Sequence, residues 1–219
     1  MEKWIDLSHV IEDGLVTYKG LPAPVICDYL SREASKVMYE EGTEFQIGKI
    51  EMVSNTGTYI DTPFHRFADG KDLSEMELER FAGLDAIVVR ASVDAPAIGE
   101  QAFYGHDVRG RAVLIHTGWD RHWNTELYFE NAPHLTEGAA QYLLDQGAVL
   151  VGIDSFNIDD TSGKARPVHS ILLKAGIPIV EHLCNLQLLP DAGFIFHAVP
   201  PKIKGMGTFP VRACAELRL

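Results

Sequence analysis

The pattern of apolar and polar positions predicts several buried strands. Residues 86–90 (AIVVR), 112–116 (AVLIH) and 148–153 (AVLVGI) are short runs rich in valine and isoleucine. Such runs suit strands that are covered on both faces, as in a parallel sheet flanked by helices. Residues 44–53 (EFQIGKIEMV) alternate apolar and polar positions and change phase around Lys49. That segment predicts a strand with one exposed face and a bulge.

Two further segments predict helices. In the first, Thr136 is a suitable N-cap and Gly147 a suitable end. Between them lies an apolar stripe made of Ala139, Ala140, Leu143 and Leu144. A shorter helix is predicted from Val168 to Ala175, ending at Gly176, and the strand-like residues 177–181 (IPIVE) follow it. Strands and helices together predict a mixed α/β fold with a substantial sheet.

Length and composition favour one domain spanning residues 1–219. The net charge of -12 argues against non-specific nucleic-acid binding. There is no run of about 18 apolar residues and no apolar segment typical of a signal peptide near Met1. These features predict a cytoplasmic protein without a membrane partner. The three cysteines are scattered and form no CxxC pair, which disfavours both a disulfide framework and a cysteine zinc site.

The stretch SNTGTYIDTPFHR contains the first candidate site. Thr62 precedes a proline and is therefore pushed towards an extended backbone, while Pro63 fixes its own φ. Gly57 permits a tight turn just upstream. The sequence thus predicts a stiff loop, and not a helix, that holds Asp61 and His65. A simpler interpretation is a turn in which Asp61 caps backbone N–H groups and His65 lies at the surface.

A second candidate site follows the strand predicted at 148–153. Asp154 and Asn157 lie at its carboxyl end, where ligands tend to bind in open α/β sheets. His169 begins the second predicted helix and Glu181 ends the next strand-like segment. Both are also common as ordinary polar residues at such places.

Two carboxylates and two imidazoles are available if the two stretches meet: Asp61, His65, His169 and Glu181. This donor set suits a divalent cation such as Zn²⁺ or Mn²⁺. Such a cation lowers the pKa of a bound water and makes hydroxide available near neutral pH. Spacing along the chain does not show whether the four residues converge.

Seven ordered segments resemble a known family. They are IDLSHVIEDG, TGTYIDTPFHRFADG, LIHTGWDRHW, HLTEGAAQYLL, VGIDSFNID, PVHSILLKAGIPIVEHLCNL and GMGTFPVRACA. In this order, from about Trp4 to Ala215, they resemble the metal-dependent hydrolases of the cyclase family, which includes bacterial kynurenine formamidases and isatin hydrolases. The resemblance implies a swivelling β/β/α fold and homodimers or homotetramers. It also implies hydrolysis of a small-molecule amide, cyclic amide or lactone by metal-activated water.

The family's first motif reads His-x-Gly-Thr-His-x-Asp-x-Pro-x-His, and here it reads NTGTYIDTPFH. The resemblance places the two metal-binding histidines on Asn55 and Tyr59. It places the bridging carboxylate on Asp61 and the acid/base histidine on His65. Two imidazole ligands of one metal are therefore replaced, because asparagine offers a neutral oxygen and tyrosine is rarely a ligand.

The resemblance places the family's later ligands on His169 and Glu181. Together with Asp61 they would supply three protein ligands, the usual number for a catalytic zinc. We therefore expect a mononuclear site, or an empty one. In the enzyme hypothesis, His65 moves a proton, Tyr59 donates a hydrogen bond to the developing oxyanion, and Asn55 does the same or orients Asp61.

Three further residues are predicted to contact the substrate. Thr117 and Trp119 follow the strand at 112–116, and the resemblance puts that segment near the active centre. His9 is a third candidate. Trp119 is as well explained as a core aromatic, and Trp123 is better explained in that way.

Three functional hypotheses follow. The first is an arylformamidase-like hydrolase that uses one metal ion. The second is a metal-free relative that binds a small molecule without catalysis, since two histidines are lost. The third is a metal-free hydrolase that uses His65 with Asp61 or Asp154.

Overall fold

A nine-stranded mixed sheet forms the centre of the part of the chain that the computed structural model describes, residues 3–91 and 96–218. The strands are β1 (Trp4–Asp6), β2 (Val25–Leu30), β3 (Ile47–Glu51), β4 (Tyr59–Asp61), β5 (Leu84–Arg90), β6 (Ala97–Ile98), β7 (Ala112–His116), β8 (His134–Leu135), β9 (Leu150–Ile153), β10 (Ile179–Glu181), β11 (Ala192–His197), β12 (Thr208–Pro210) and β13 (Cys214–Leu217). The order in the large sheet is β1-β13-β11-β5-β7-β9-β10-β4-β12, while β2–β3 and β6–β8 form separate pairs.

Helices are few and short. The α-helices are α1 (Arg32–Ser35), α2 (Pro63–Arg66), α3 (Glu137–Gln146) and α4 (Pro167–Lys174). Single 3₁₀ turns occur at Leu78–Arg80, Glu100–Phe103, Trp119–His122, Glu126–Phe129 and Leu186–Leu188.

Four parallel strands, β5, β7, β9 and β10, lie at the centre of the sheet. Their side chains alternate between two apolar layers, as the period of a strand requires. In β7, Val113 and Ile115 pack in the layer that α3 and α4 cover, while Ala112 and Leu114 pack on the opposite face. Coverage on both faces explains why the buried positions of these strands are apolar, apart from Glu181 at the end of β10.

Both predicted helices are confirmed. The Thr136 hydroxyl accepts a hydrogen bond from the backbone N–H of Ala139, and Gly147 ends α3 in the left-handed conformation with φ 81°. The second helix, α4, begins at Pro167, where a missing N–H costs nothing.

The prediction for residues 44–53 is only partly right. A strand is present at β3, but both of its faces are exposed. The register shift lies in the partner strand, between Asp28 and Leu30, rather than at Lys49. Strands β2 and β3 pair only with each other and, with α1 between them, form an arm made of residues 25–51.

The mixed α/β class with a large sheet is confirmed. Within the described ranges, no helix has the length and apolar character needed to cross a membrane. The single domain spanning 1–219 and the cytoplasmic location stay predictions.

Candidate metal centre and active site

Sheet register brings together site residues that are far apart in the sequence. Strand β4 lies between β10 and β12 and is antiparallel to both. Tyr59 is directly opposite Glu181, and Asp61 is directly opposite Thr208. Because residues i and i+2 of a strand share a face, these four side chains project from the same side of the sheet.

His65 is positioned by one turn of helix rather than by the predicted loop. Thr62 is extended and acts as N-cap, and α2 begins at the proline that follows it. The backbone N–H of Thr62 donates to the carbonyl oxygen of Gly207 at 2.7 Å. A β-carbon at position 207 would lie 2.1 Å from the backbone nitrogen of His65, so only glycine permits this close approach. Gly57, which permits a tight turn here, adopts the left-handed conformation with φ 67°.

The carboxylate of Asp61 is fully buried, and in the described part of the chain only one of its two oxygens has a hydrogen-bond partner. The Thr208 hydroxyl donates to Oδ1, and its oxygen pairs with His65 Nδ1 at 2.7 Å. Oδ2 has no hydrogen-bond partner among the described residues. Burial raises the pKa of Asp61, but the close approach of His169 at 3.6 Å and the charge of His65 outweigh burial and lower it. A buried oxygen without a partner is costly unless a ligand pairs with it.

Asp159 orients His169 from outside the helix that carries it. Its carboxylate accepts the backbone N–H groups of Val168 and His169 at 2.8 and 3.0 Å, which caps α4. It also pairs with His169 Nδ1 at 2.6 Å. With the Nδ1 proton held there, Nε2 faces Asp61 Oδ2 at 3.6 Å and Glu181 Oε1 at 3.7 Å.

The pKa of His169 reflects these neighbours. Burial lowers it, but the hydrogen bond to Asp159, the close carboxylate of Asp61 and the nearby charge of Glu181 raise it to about 10. The imidazole therefore lies in surroundings that attract positive charge, and a metal cation satisfies the same demand as a proton.

Asp61, His65 and His169 form a group that could hold a cation. Each offers one ligand atom, and the three atoms lie within 4.8 Å of one another. The sequence-based ligand set was Asp61, His169 and Glu181, with His65 as the acid/base. The structure keeps Asp61 and His169 together and brings His65, rather than Glu181, into this group.

Glu181 lies beside this group with both oxygens already engaged. Oε2 accepts the Tyr59 hydroxyl at 2.5 Å, and Oε1 accepts the backbone N–H of Ile158 at 2.6 Å. Burial raises the pKa of Glu181 to about 7, and the charge of Asp61 acts in the same direction.

The Tyr59 hydroxyl, which was predicted to donate to an oxyanion, donates to another side chain of the protein. Tyr59 has one O–H, and it is donated to Glu181. Burial and the charge of Glu181 raise the pKa of Tyr59 well above its usual range, and the nearby Asn55 side chain opposes them. Tyr59 is therefore a neutral phenol whose hydroxyl is engaged by Glu181, and it is not free to donate to a substrate in this arrangement.

These side chains border one cavity of about 250 Å³. Its lining includes Asn55, Tyr59, His65, His169 and Glu181. The volume is larger than the roughly 150 Å³ cavity that is known to hold a benzene ring. A small molecule with one ring therefore fits against the candidate metal centre.

Comparison with known proteins identifies the family. The family model described as "Putative cyclase" matches residues 5–160. The chain belongs to the cyclase family.

It is 29% identical to the kynurenine formamidase of Bacillus cereus (strain ATCC 14579), over 96% of each chain. The structure is similar to isatin hydrolase A from Ralstonia solanacearum, with a TM-score of 0.83, 21% identity and coverage of 98% and 92% of the two chains. It is also similar to a potential metal-dependent hydrolase with cyclase activity, with a TM-score of 0.75, 26% identity and coverage of 99% and 98%. The resemblance and the fold that it implied are confirmed.

The side chains present suit a site for one metal cation better than a site for two. One orphaned carboxylate oxygen and two imidazoles converge at Asp61, His65 and His169. At the other expected position, Asn55 and Tyr59 replace the family's histidines. The hydroxyl of Tyr59 bonds to Glu181 there, so that position offers no free imidazole or carboxylate oxygen.

The three predicted substrate contacts lie away from the cavity lining. The backbone N–H and the hydroxyl of Thr117 donate to Asp154, and Trp119 Nε1 donates to the Tyr128 carbonyl. The His9 ring stacks on Trp123, with ring centroids 3.9 Å apart. Burial lowers the pKa of His9 to about 4, so it is neutral. Their assignment to the substrate stays a prediction that this cavity does not support.

Asp154 has a structural role in the geometry observed. Its two oxygens accept the N–H and hydroxyl of Thr117 and the N–H of Gly118. These contacts join the carboxyl ends of β7 and β9. The proposed pairing of Asp154 with His65 therefore has no support here.

Sequence reasoning missed Asp159 and Thr208. Asp159 caps a helix that begins eight residues later, so the usual local capping pattern is absent. Thr208 contacts Asp61 only through the register between β12 and β4, and no spacing along the chain encodes that register.

Proposed function

We propose that this protein is a metal-dependent hydrolase that cleaves a carbon–nitrogen bond in a small amide or cyclic amide, as an arylformamidase does. Its relatives in the cyclase family include proteins named kynurenine formamidase and isatin hydrolase. The observation that carries the proposal is the convergence of Asp61, His65 and His169, with a partnerless oxygen of Asp61 among them.

Asp61, His65 and His169 would hold one Zn²⁺ or Mn²⁺ ion, since carboxylate and imidazole ligands suit both. When bound, such an ion polarises a carbonyl group and lowers the pKa of water, which supplies hydroxide near neutral pH. Thr208 and Asp159 orient two of the three side chains through their hydrogen bonds.

His65 has two candidate roles that one substitution separates. In our proposal it is the third ligand, because its ligand atom lies within 4.8 Å of those of Asp61 and His169. The role implied by the family is proton transfer at the scissile bond. A His65→Gln variant that loses both the ion and turnover supports a ligand, whereas one that keeps the ion and loses turnover supports an acid/base.

The test is turnover with controlled metal content. We expect protein loaded with Zn²⁺ or Mn²⁺ to hydrolyse formanilide or N-formylkynurenine. Turnover should stop after treatment with EDTA and return when the ion is restored. An Asp61→Asn variant should remain inactive after reloading, while Asp145→Asn on the exposed side of α3 should behave as the wild type. Equal turnover before and after complete removal of metal would contradict the proposal.

A second candidate function is a metal-free relative that binds a small molecule without catalysis. The hydrogen bond between Tyr59 and Glu181 favours it, because this bond occupies groups that the family uses for metal. If amide hydrolysis arises only in an Asn55→His/Tyr59→His variant, the natural protein belongs to this second class.

A further inference from the structure

Two arginines on the cavity wall have no acidic partner. Arg66 and Arg166 both line the cavity. Within the described ranges, neither guanidinium lies within 4.0 Å of a carboxylate. Arg90, Arg111, Arg212 and Arg218 do pair with aspartates in this way. Among the described residues Arg32, Arg80, Arg109 and Arg121 do not, so Arg66 and Arg166 are distinguished by lining the cavity and not by the lack of a partner alone. In a chain of net charge -12, unpaired cations that face one cavity point to a ligand.

Neutral groups hold the guanidinium of Arg166 in place. Its Nη1 donates to the backbone carbonyls of Asp160, Gly163 and Ala165 at 3.1, 3.0 and 2.7 Å. These carbonyls restrict the orientation of the side chain and carry no charge. Hydrogen bonds from Ser162 lower the pKa of the Asp160 carboxyl, and Arg166 is near enough that its charge helps to lower it, but Arg166 and Asp160 do not form an ion pair. The guanidinium also lies near the Tyr18 hydroxyl, where burial raises the pKa of that phenol and the positive charge opposes the rise.

Arg66 is held in a similar way. Its Nε donates to the Ser170 hydroxyl at 3.2 Å, and its guanidinium carbon lies 5.3 Å from the centre of the Phe67 ring. Among the described residues, none accepts a hydrogen bond from its two terminal nitrogens. That end of the guanidinium is therefore available for a bidentate contact.

The cavity adds a neutral donor next to these charges. Asn157 Oδ1 accepts the backbone N–H of Asp159 at 2.9 Å, which leaves the Asn157 amide N–H₂ group as a donor. The wall that contains Arg66, Arg166 and Asn157 thus presents donors and positive charge. His65 and His169, two of the three proposed metal ligands, line the same cavity.

We propose that Arg66 and Arg166 bind a carboxylate of the substrate, so that the amide cleaved here carries a carboxylate besides the scissile bond. This inference rests on the proposed hydrolase function. Planar carboxylates match the fork of N–H donors that a guanidinium presents. The cavity of about 250 Å³ has room for about one ring, so a small aryl amide with an acidic group fits it.

Binding of a probe tests this inference independently of turnover. Benzoate and benzamide, which have nearly the same shape and differ in charge, are titrated into Zn²⁺-loaded and EDTA-treated protein and followed by ligand NMR. We expect benzoate to bind at least about 10-fold more tightly than benzamide in both forms, since hydrogen bonds to charged groups are the stronger ones. Arg66→Ala/Arg166→Ala should weaken benzoate binding about 10- to 100-fold and change benzamide binding less than about 3-fold.

Two controls keep the result specific. Arg80→Ala/Arg109→Ala removes the same charge from exposed positions outside the cavity lining and should leave benzoate binding unchanged. Since Arg166 also supports its own loop, Arg66→Ala is also measured alone, and it should weaken benzoate binding about 10-fold. Equal affinity for benzoate and benzamide, or an equal loss in the control pair, overturns the inference.

Turnover of formanilide and 2-formamidobenzoate reports the hydrolase function separately. If neither is cleaved while benzoate remains preferred, the hydrolase proposal fails and the carboxylate site stands. If both are cleaved equally well and the two probes bind equally, the carboxylate inference fails and the hydrolase proposal stands.

Discussion

The hydroxyl of Tyr59 donates to Oε2 of Glu181 at 2.5 Å, across the directly opposed pair that joins β4 and β10. The family resemblance places a metal-binding histidine at position 59. The bond therefore occupies one expected ligand position with a neutral phenol and engages a carboxylate that the family uses as a ligand. This relationship is the physical reason for expecting one cation per chain.

Restoring the two histidines should raise the number of bound ions. We expect Asn55→His/Tyr59→His to bind up to two Zn²⁺ per chain, because it supplies two imidazoles and releases Glu181. Elemental analysis of dialysed protein measures the ratio. Tyr59→Phe, which releases Glu181 without adding a ligand, should stay at one. A double variant that still binds one ion would show that the hydrogen bond is not what excludes the second.

The Thr208 hydroxyl should control the affinity of the metal centre. It connects Asp61 and His65 and is buried. Thr208→Val keeps the shape and removes the hydroxyl, so we expect Zn²⁺ affinity to fall about 10- to 100-fold, as for other groups that orient ligands. Competition with a chromophoric chelator measures the affinity. Thr208→Ser keeps the hydroxyl and should bind nearly as the wild type; an equal loss in both variants would point to packing instead.

Asp154 should make the protein less stable as pH rises. Burial raises its pKa to about 7, although the hydrogen bonds from Thr117 and Gly118 oppose this shift. The folded state therefore holds the proton more tightly than the unfolded chain, whose pKa is near 3.8. The associated stability is fully present below about pH 4 and is lost as pH rises through about 7, on the order of 4 kcal/mol in total.

Urea denaturation between pH 4 and 7 checks this prediction. Asp154→Asn removes the titrating carboxyl and with it the part of the stability that depends on its proton. The free energy of unfolding should therefore decline less over this range than in the wild type. If the free energy of unfolding changed with pH identically in the two proteins, Asp154 would be ionised in the folded state over this whole range.

The arm made of residues 25–51 should mediate association with a second copy of the chain. Nine of its large apolar side chains are more than a third exposed: Val25, Ile26, Tyr29, Val37, Met38, Tyr39, Phe45, Ile47 and Ile50. If each buries on the order of 100 Å² of surface, the nine together reach the roughly 800 Å² that each partner buries in a standard interface. An isolated two-stranded ribbon is also marginal in water, and a second copy would cover it.

Sedimentation velocity at micromolar concentration tests this association. We expect a dimer or tetramer for the wild type and a smaller species for Tyr29→Glu/Ile50→Glu. Leu127→Glu, an equally drastic change outside the arm, should leave the mass unchanged. A wild-type monomer, or an arm variant that still associates, would exclude the arm as the interface.

Local signals in the sequence predicted local structure well. Thr136 and Gly147 bound α3 because capping depends on the nearest backbone groups, and the sequence shows both residues. The apolar runs predicted the central strands because burial on both faces requires them. The exposed faces of β3 were missed, since alternation indicates a strand but does not say what covers it.

The assembly of the site depends on register, which the chain does not encode locally. Local chemistry named Asp61 and His169 as candidates, but only the family resemblance placed them at one metal site. Tyr59 and Glu181 meet because β10 pairs with β4, and Thr208 meets Asp61 because β12 pairs with the same strand. The partnerless Oδ2 of Asp61, which decides that a cation fits, is visible only in the folded protein.

The most direct measurement is the number of divalent cations bound per chain. After equilibration with Zn²⁺ or Mn²⁺ and dialysis, the account predicts one ion per chain in the wild type and in Asp145→Asn. It predicts none in Asp61→Asn or His169→Gln, with both variants still folded by circular dichroism. A wild-type protein that retains no ion, or Asp61→Asn and His169→Gln variants that retain one, would contradict the account.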